Sequence, residues 1–344
     1  MNALASWQQA PLRRALDTLA SERLAHALLI CGPRHIGKRA VADALAQTLL
    51  CRERVDGLAC GRCRNCELFV AGTHPDWNYI SFEENEKTKV LRKEIVVEQV
   101  RNLGAWFSLT PQRGGAQVAL IEPASAMNQN ASNALLKTLE EPMRERYLLL
   151  LCESPMQLSA TIRSRCQRIE LQPPSMQEGL AWLRARGHAE AIAQSALTAA
   201  RGHPGLAAYW IEEGLLALRD SVRADLSAIA TGRARALDIA VAWLADDQAD
   251  QRLTFAADVA VDLHAEALAA PAHPAPGALA YPGASGAAAS PSTRSTTAPD
   301  FLKLSAWFDA ANRTRSLLRT PIRSDLALAG LLRDWRIAVT ARSA

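Results

Sequence analysis

No apolar run in this chain of 344 residues approaches the roughly 18 to 20 residues that a membrane span requires. The expectation is a soluble protein with no membrane partner. The opening stretch MNALASWQQAPLRRAL also lacks the basic start followed by an apolar segment that marks a secretory leader, so the expected location is the cytoplasm. Excess charge of one sign is scarce too. Lys and Arg number 39 against 35 Asp and Glu, a net +4, which attracts nucleic acid only weakly unless it is gathered on one face. No helix-turn-helix signature or concentrated basic helix is visible, which argues against a sequence-specific duplex-binding regulator. No internal repeat is evident. What remains is an ordinary soluble balance, 49% apolar and 22% charged, in a chain long enough for several domains.

Seven cysteines is an odd count for a chain without an export signal, which points away from a disulfide framework and toward metal ligands or free thiols. Spacing decides between them. Cys51, Cys60, Cys63 and Cys66 form C-x8-C-x2-C-x2-C. Thiolates two residues apart can chelate one ion, and four make the closed tetrahedral set of structural zinc (Zn²⁺). Nothing nearby offers the open coordination position of a catalytic zinc, and the bland alternative is a group of buried or redox-active thiols. Arg62 and Arg64 read as solvated charges that compensate the thiolates.

In LAHALLICGPRHIGKRAVADALAQTLLC the pattern is a strand over 27–31, a Gly-bearing turn, and a helix carrying Ala40, Ala44 and Leu45. QVALIE (117–122) and RYLLLLCE (146–153) are short continuous apolar runs of the kind found in buried central strands, although periodicity alone equally allows a buried helix segment. Between them NQNASNALLKTLEEP reads as a helix with Ala131, Ala134, Leu135 and Leu139 on one face, stopping near Pro142. Strands alternating with helices imply an α/β fold around a mostly parallel sheet. Beyond Pro173 and Pro174 the chain reads as helical, with a break at GHPG (202–205). The expected domains are 1–172, α/β with the cysteine module at 51–66; 173–210, small and helical; and 211–344, a larger helical domain. Within the last, residues 270–299 are dominated by Ala, Pro, Gly, Ser and Thr and are expected to form a mobile loop.

Gly32, Gly37 and Lys38 satisfy G-x4-G-K, in which backbone N–H groups and the lysine cradle phosphates at a helix N-terminus. The next position should be Ser or Thr to ligate Mg²⁺, but it is Arg39, a cation with no acceptor. The second strand ends in Glu122, able to direct a carboxylate at a metal, and then Pro123, which cannot orient an attacking water. Hydrolysis of Mg-ATP is not expected, whereas nucleotide binding stays open.

The segments ALLICGPRHIGK, the cysteine module followed by GTHPD, NALLKTLEEP and TIRSRC occur in that order. Together they resemble the bacterial clamp-loader family of AAA+ proteins over about the first 210 residues. The resemblance implies an AAA+ P-loop domain with an inserted zinc module, a three-helix lid and an all-α collar. It also implies that Arg165, within Ser164-Arg165-Cys166, is an arginine finger acting in trans on ATP held by a neighbour, with Arg163 close enough to be confused with it. Where hydrolysing relatives carry a polar sensor at the end of the fourth strand the chain has Cys152-Glu153, and where they carry a sensor arginine it has Gly205. The implied role is a non-hydrolysing scaffold in the clamp loader of DNA polymerase III. Its implied partners are the gamma/tau ATPase subunits and the delta subunit in a hetero-pentamer, with the sliding clamp and primer-template DNA reached through the complex. The alternative is an active AAA+ ATPase, a motor-type clamp-loader subunit or helicase loader, against which Arg39, Pro123 and Gly205 all argue.

Overall fold

The computed structural model describes residues 4–85, 88–269, 301–318 and 323–339. The Ala- and Pro-rich stretch 270–299, expected to be a loop, lies outside the described residues. The chain forms two compact units, Met1–Glu213 and Gly214–Ala344.

In the first unit the order is α1 (Ser6–Ala20), β1 (Ala27–Cys31), α2 (Lys38–Leu50), α3 (Arg64–Val70), β2 (Trp77–Ile80), α4 (Val97–Phe107), β3 (Gln117–Ile121), α5 (Gln129–Glu140), β4 (Arg146–Cys152), α6 (Ala160–Arg163), β5 (Gln167–Glu170), α7 (Met176–Ala185), α8 (Glu190–Ala199) and α9 (Pro204–Glu212). The five strands form one parallel sheet in the order β2-β3-β4-β1-β5. The three apolar runs read as strands are its middle: β1 and β3 are buried along their whole length, because helices cover both faces.

Strand periodicity sorts the side chains between those faces. Ala27, Leu29, Cys31, Leu148, Leu150 and Cys152 pack with Val100, Leu103 and Phe107 of α4 and Leu135 and Leu139 of α5. Leu28, Ile30, Leu149 and Leu151 alternate with them and pack with Leu12 of α1 and Val41, Leu45 and Leu49 of α2. On α2 the buried stripe runs through Val41, Ala42, Ala44 and Leu45 rather than Ala40, which is exposed. Helix α5 begins where the Asn128 side chain accepts the Ala131 N–H, and it ends at Glu140, two residues before Pro142.

The second unit holds α10 (Leu215–Ala230), α11 (Ala236–Trp243), α12 (Ala249–Ala269), α13 (Phe301–Leu317) and α14 (Ser324–Val339). Its core is built on tryptophans whose polar edges are all satisfied. Trp243 Nε1 donates to Asp225, Trp307 Nε1 to the Leu331 carbonyl and Trp335 Nε1 to the Leu226 carbonyl. The Trp307 and Trp335 rings meet edge to face at 4.6 Å.

Leu135 is fully buried between α5 and the sheet. Truncation of such a residue removes packing on one side of the central strands. Leu135→Ala is expected to cost about 2–5 kcal/mol of unfolding free energy in urea titration, and a cost well under about 1 kcal/mol would show that α5 is not seated as described.

Candidate functional site

Strand β1 delivers the chain into the loop 32–37, which turns into α2. Gly37 sits in the left-handed region (φ 91°) as the cap of α2, and a Cβ there would lie 1.9 Å from Gln8 Nε2. Both the conformation and the contact require glycine. The amide of Gln8 and the indole N–H of Trp7, both on α1, each donate to the Ile36 carbonyl at 3.1 Å. Helix α1 therefore caps the loop from outside. Lys38 turns back on the same loop and donates from Nζ to the Gly32 and Pro33 carbonyls, both at 2.9 Å. Burial lowers its pKa below the ordinary lysine value, with nearby carboxylates opposing.

Arg39 occupies the place expected for a metal-ligating hydroxyl. Its Nη1 pairs with Glu122 at 2.8 Å and its Nε with Asp43 at 2.8 Å, and the guanidinium lies 4.2 Å from the centre of the Tyr79 ring. The Tyr79 hydroxyl is 3.4 Å from the same Glu122 oxygen. Burial works against the charge on Arg39, but the two carboxylates outweigh it and hold its pKa above the ordinary value. The one carboxylate that the sequence offered to a metal is thus neutralised by a side chain of the same protein.

On the opposite side of the loop stands α9. A Cβ on Gly205 would lie 1.8 Å from the His35 carbonyl oxygen, so the backbone of α9 rests directly on the loop and no side chain fits between. His35 itself adopts a left-handed backbone (φ 62°), and its ring stacks on Tyr209 at 4.4 Å. His203 caps α9 by accepting the Leu206 N–H through Nδ1. Burial lowers the pKa of both His35 and His203, so both rings are held in the neutral form near pH 7.

The two candidate arginines point to different places. Arg163, at the end of α6, lines a cleft of about 680 Å³ with Gly32, Pro33, Glu153, Ser164 and Arg168, and so faces the chain's own loop. Arg165 is not part of that lining. Its Nη2 pairs with Glu140 at 2.8 Å, and its Nη1 donates to the Thr161 carbonyl at 3.1 Å. Cys166 packs against the sheet face that also buries Cys152, and burial pushes both thiols up to about 11. These are packing residues rather than nucleophiles.

The four spaced cysteines converge. Cys51 closes α2, Cys63 caps α3 and Cys66 lies in its first turn. Their sulfurs, with that of Cys60, all lie within 4.8 Å of one another; Cys51 is 3.7 Å from Cys60 and 3.8 Å from Cys63, and Cys60 is 4.0 Å from Cys66. A disulfide would need about 2.05 Å. The observed separations instead suit the edge of a tetrahedron, about 3.8 Å when each sulfur stands about 2.3 Å from a central ion. Backbone N–H groups, Arg62's first, pull the Cys60 thiol down to about 7, whereas burial pushes Cys66 up to about 12. Charging all four together calls for a cation among them, and the cluster could hold a metal such as zinc.

Several of these residues left no clear mark in the sequence. Asp43 was readable as an i,i+4 partner of Arg39. Gln8, Tyr79 and Glu140 reach their partners only through the tertiary fold; no local pattern announces the first two, and Glu140 lies within NALLKTLEEP without that motif naming its partner.

Residues 7–175 match the family model described as DNA polymerase III, delta subunit. The chain is 46% identical over 177 residues to DNA polymerase III subunit delta′ of Pseudomonas aeruginosa, covering 52% of this chain and 51% of that one. It is 35% identical over 205 residues to the delta′ subunit of Escherichia coli, covering 58% and 59% of the two chains. The tau subunit of DNA polymerase III from Escherichia coli is 34% identical over 165 residues, 48% of this chain and 24% of that one. The match thus spans about half the length of the curated delta′ relatives. Across the segment that carries the loop, the cysteine cluster and the Ser164-Arg165-Cys166 turn, the chain is similar to the delta′ subunits of DNA polymerase III.

Proposed function

We propose that this chain is a non-hydrolysing scaffold subunit of the clamp loader of DNA polymerase III. The observation that carries the reading is Arg39, which spans Glu122 and Asp43 where a hydroxyl and Mg²⁺ would stand. A fixed guanidinium cannot exchange ligands with a nucleotide as a hydrated cation does. Lys38 supports the same reading, since the side chain that would meet phosphates is already bonded to the carbonyls of its own loop.

In this reading residues 1–172 form an AAA+ domain, α7 to α9 a lid over 173–210, and 211–344 a collar that joins a hetero-pentamer. Gamma/tau subunits supply the ATPase activity and the delta subunit opens the sliding clamp. Primer-template DNA is reached through the complex, and the protein works in the cytoplasm. Arg165 serves in trans: a planar guanidinium set against a neighbour's γ-phosphate stabilises charge that spreads over the phosphoryl oxygens during transfer. Support for Arg165 over Arg163 is their orientation, because Arg163 lines the chain's own cleft and Arg165 does not. Cys51, Cys60, Cys63 and Cys66 hold a structural zinc ion that ties the end of α2 to the start of α3.

The defining test is calorimetric titration of the purified chain with Mg-ATP. No heat of binding is expected at millimolar nucleotide, and tight, Mg²⁺-dependent binding would sink the scaffold reading. In an assembly reconstituted with its ATPase and delta partners, Arg165→Ala is expected to leave assembly intact and to slow hydrolysis at the one neighbouring site by about 10³-fold or more. Single-turnover kinetics resolve that site, and an undiminished rate there removes the trans role. For the metal, elemental analysis is expected to find about one zinc per chain, and Cys63→Ser is expected to lose it together with a lowered melting temperature. Metal-free wild-type protein with an unchanged melting curve would count against the site.

A further inference from the structure

Arg165 is already engaged within its own chain. A guanidinium has five N–H donors in a planar fork. Here Nη2 meets a Glu140 carboxylate oxygen at 2.8 Å, and Nη1 donates to the Thr161 carbonyl at 3.1 Å and lies 3.5 Å from Ser164 Oγ. Both terminal nitrogens are committed, one to an ion and one to the backbone of α6. Glu140 is also the last residue of α5, where unsatisfied carbonyls add partial negative charge, so the end of this helix attracts a cation twice over.

The pair is nevertheless exchangeable. Its side chains are 36% and 50% exposed, and water screens such a pair strongly. A neighbour's triphosphate, brought into a closing interface, presents several charged oxygens in a drier setting, where charge-assisted bonds to a guanidinium are stronger. Competition between the two anions is therefore decided by how far the interface has closed. Glu140 wins in an open assembly, and phosphate wins in a closed one.

We propose that Glu140 is a positioning residue that holds Arg165 against α5 until a neighbouring subunit presents its nucleotide, so that the finger is released by exchange of one anion for another. This rests on the reading of Arg165 as a trans finger, and deepens it: Glu140 sets how completely hydrolysis waits for DNA. Removing the carboxylate frees Arg165 in the open assembly without altering the closed one, where the pair is already broken. The effect belongs on the basal rate rather than the stimulated rate.

The test uses Glu140→Gln, which keeps the side-chain length and removes the charge, in the full reconstituted assembly. ATP turnover is measured with and without the clamp and primed DNA. The melting temperature of the variant subunit is expected to match wild type. Basal hydrolysis at the one site that Arg165 serves, resolved by single-turnover kinetics, is expected to rise about two- to fivefold, the range that an exposed pair of this kind carries, with the DNA-stimulated rate there nearly unchanged. In an Arg165→Ala background the same substitution is expected to change nothing. An unaltered basal rate, or a fall in both rates, overturns the role of Glu140, and so does a rise that persists without Arg165. If Arg165→Ala alone leaves turnover untouched, the trans-finger reading itself fails, an outcome distinct from a silent Glu140→Gln in an assembly that does depend on Arg165.

Discussion

The double ion pair of Arg39 is the constraint around which the loop region is organised. It ties the first turn of α2 to the carboxyl end of β3 through Glu122, and to the next turn of α2 through Asp43. Tyr79, from the neighbouring edge strand, covers the guanidinium. A metal ion in that position would join the same elements through ligands that come and go with a nucleotide. A covalently attached cation joins them permanently. The contacts on either side of the loop then follow one logic: α1 satisfies the Ile36 carbonyl, Lys38 satisfies those of Gly32 and Pro33, and α9 rests on that of His35. The first two satisfy backbone carbonyls by hydrogen bonds, and the third fixes the loop by close packing.

The central sheet was legible because buried parallel strands have a composition of their own. ALLIC, QVALI and RYLLLLC need no partner to be recognised, and the structure places them side by side in the order β3-β4-β1. The edge strands were not legible. β2 and β5 have four residues each, with burial broken by exposed positions, so neither a continuous apolar run nor a clean alternation distinguishes them from loop. Helix α5 could be read because Asn128 begins it, Pro142 ends it, and its apolar stripe is regular between them.

The site divides along the same line. The cysteine cluster was encoded locally, since two-residue spacings on a tight turn leave the sulfurs few places to go. The substitutions at Arg39 and Gly205 were visible as departures from a motif, although not what those residues do in its place. Arg39 found a carboxylate 83 positions away, and Gly205 met a backbone carbonyl from the opposite end of the same unit. Arg165 was marked by its neighbours in sequence, but its partner Glu140 belongs to another element and depends on how α5 and α6 pack. Local spacing carries chelation and strand pattern. Long-range electrostatic partnership emerges only once the sheet has brought the ends of its strands together.

The seat of Gly205 on His35 bears on the order in which sequence change can proceed. With 1.8 Å between a built Cβ and the carbonyl oxygen, even alanine collides before any longer side chain can reach toward the loop. A mutational path that installs an arginine here must first draw α9 away from the loop, which means losing the stack of His35 on Tyr209 and exposing the buried face of His203. Every such intermediate gives up packing before it gains a ligand. The contact therefore acts as a ratchet: the glycine is retained by the cost of the first step away from it, independently of whatever the last step would restore.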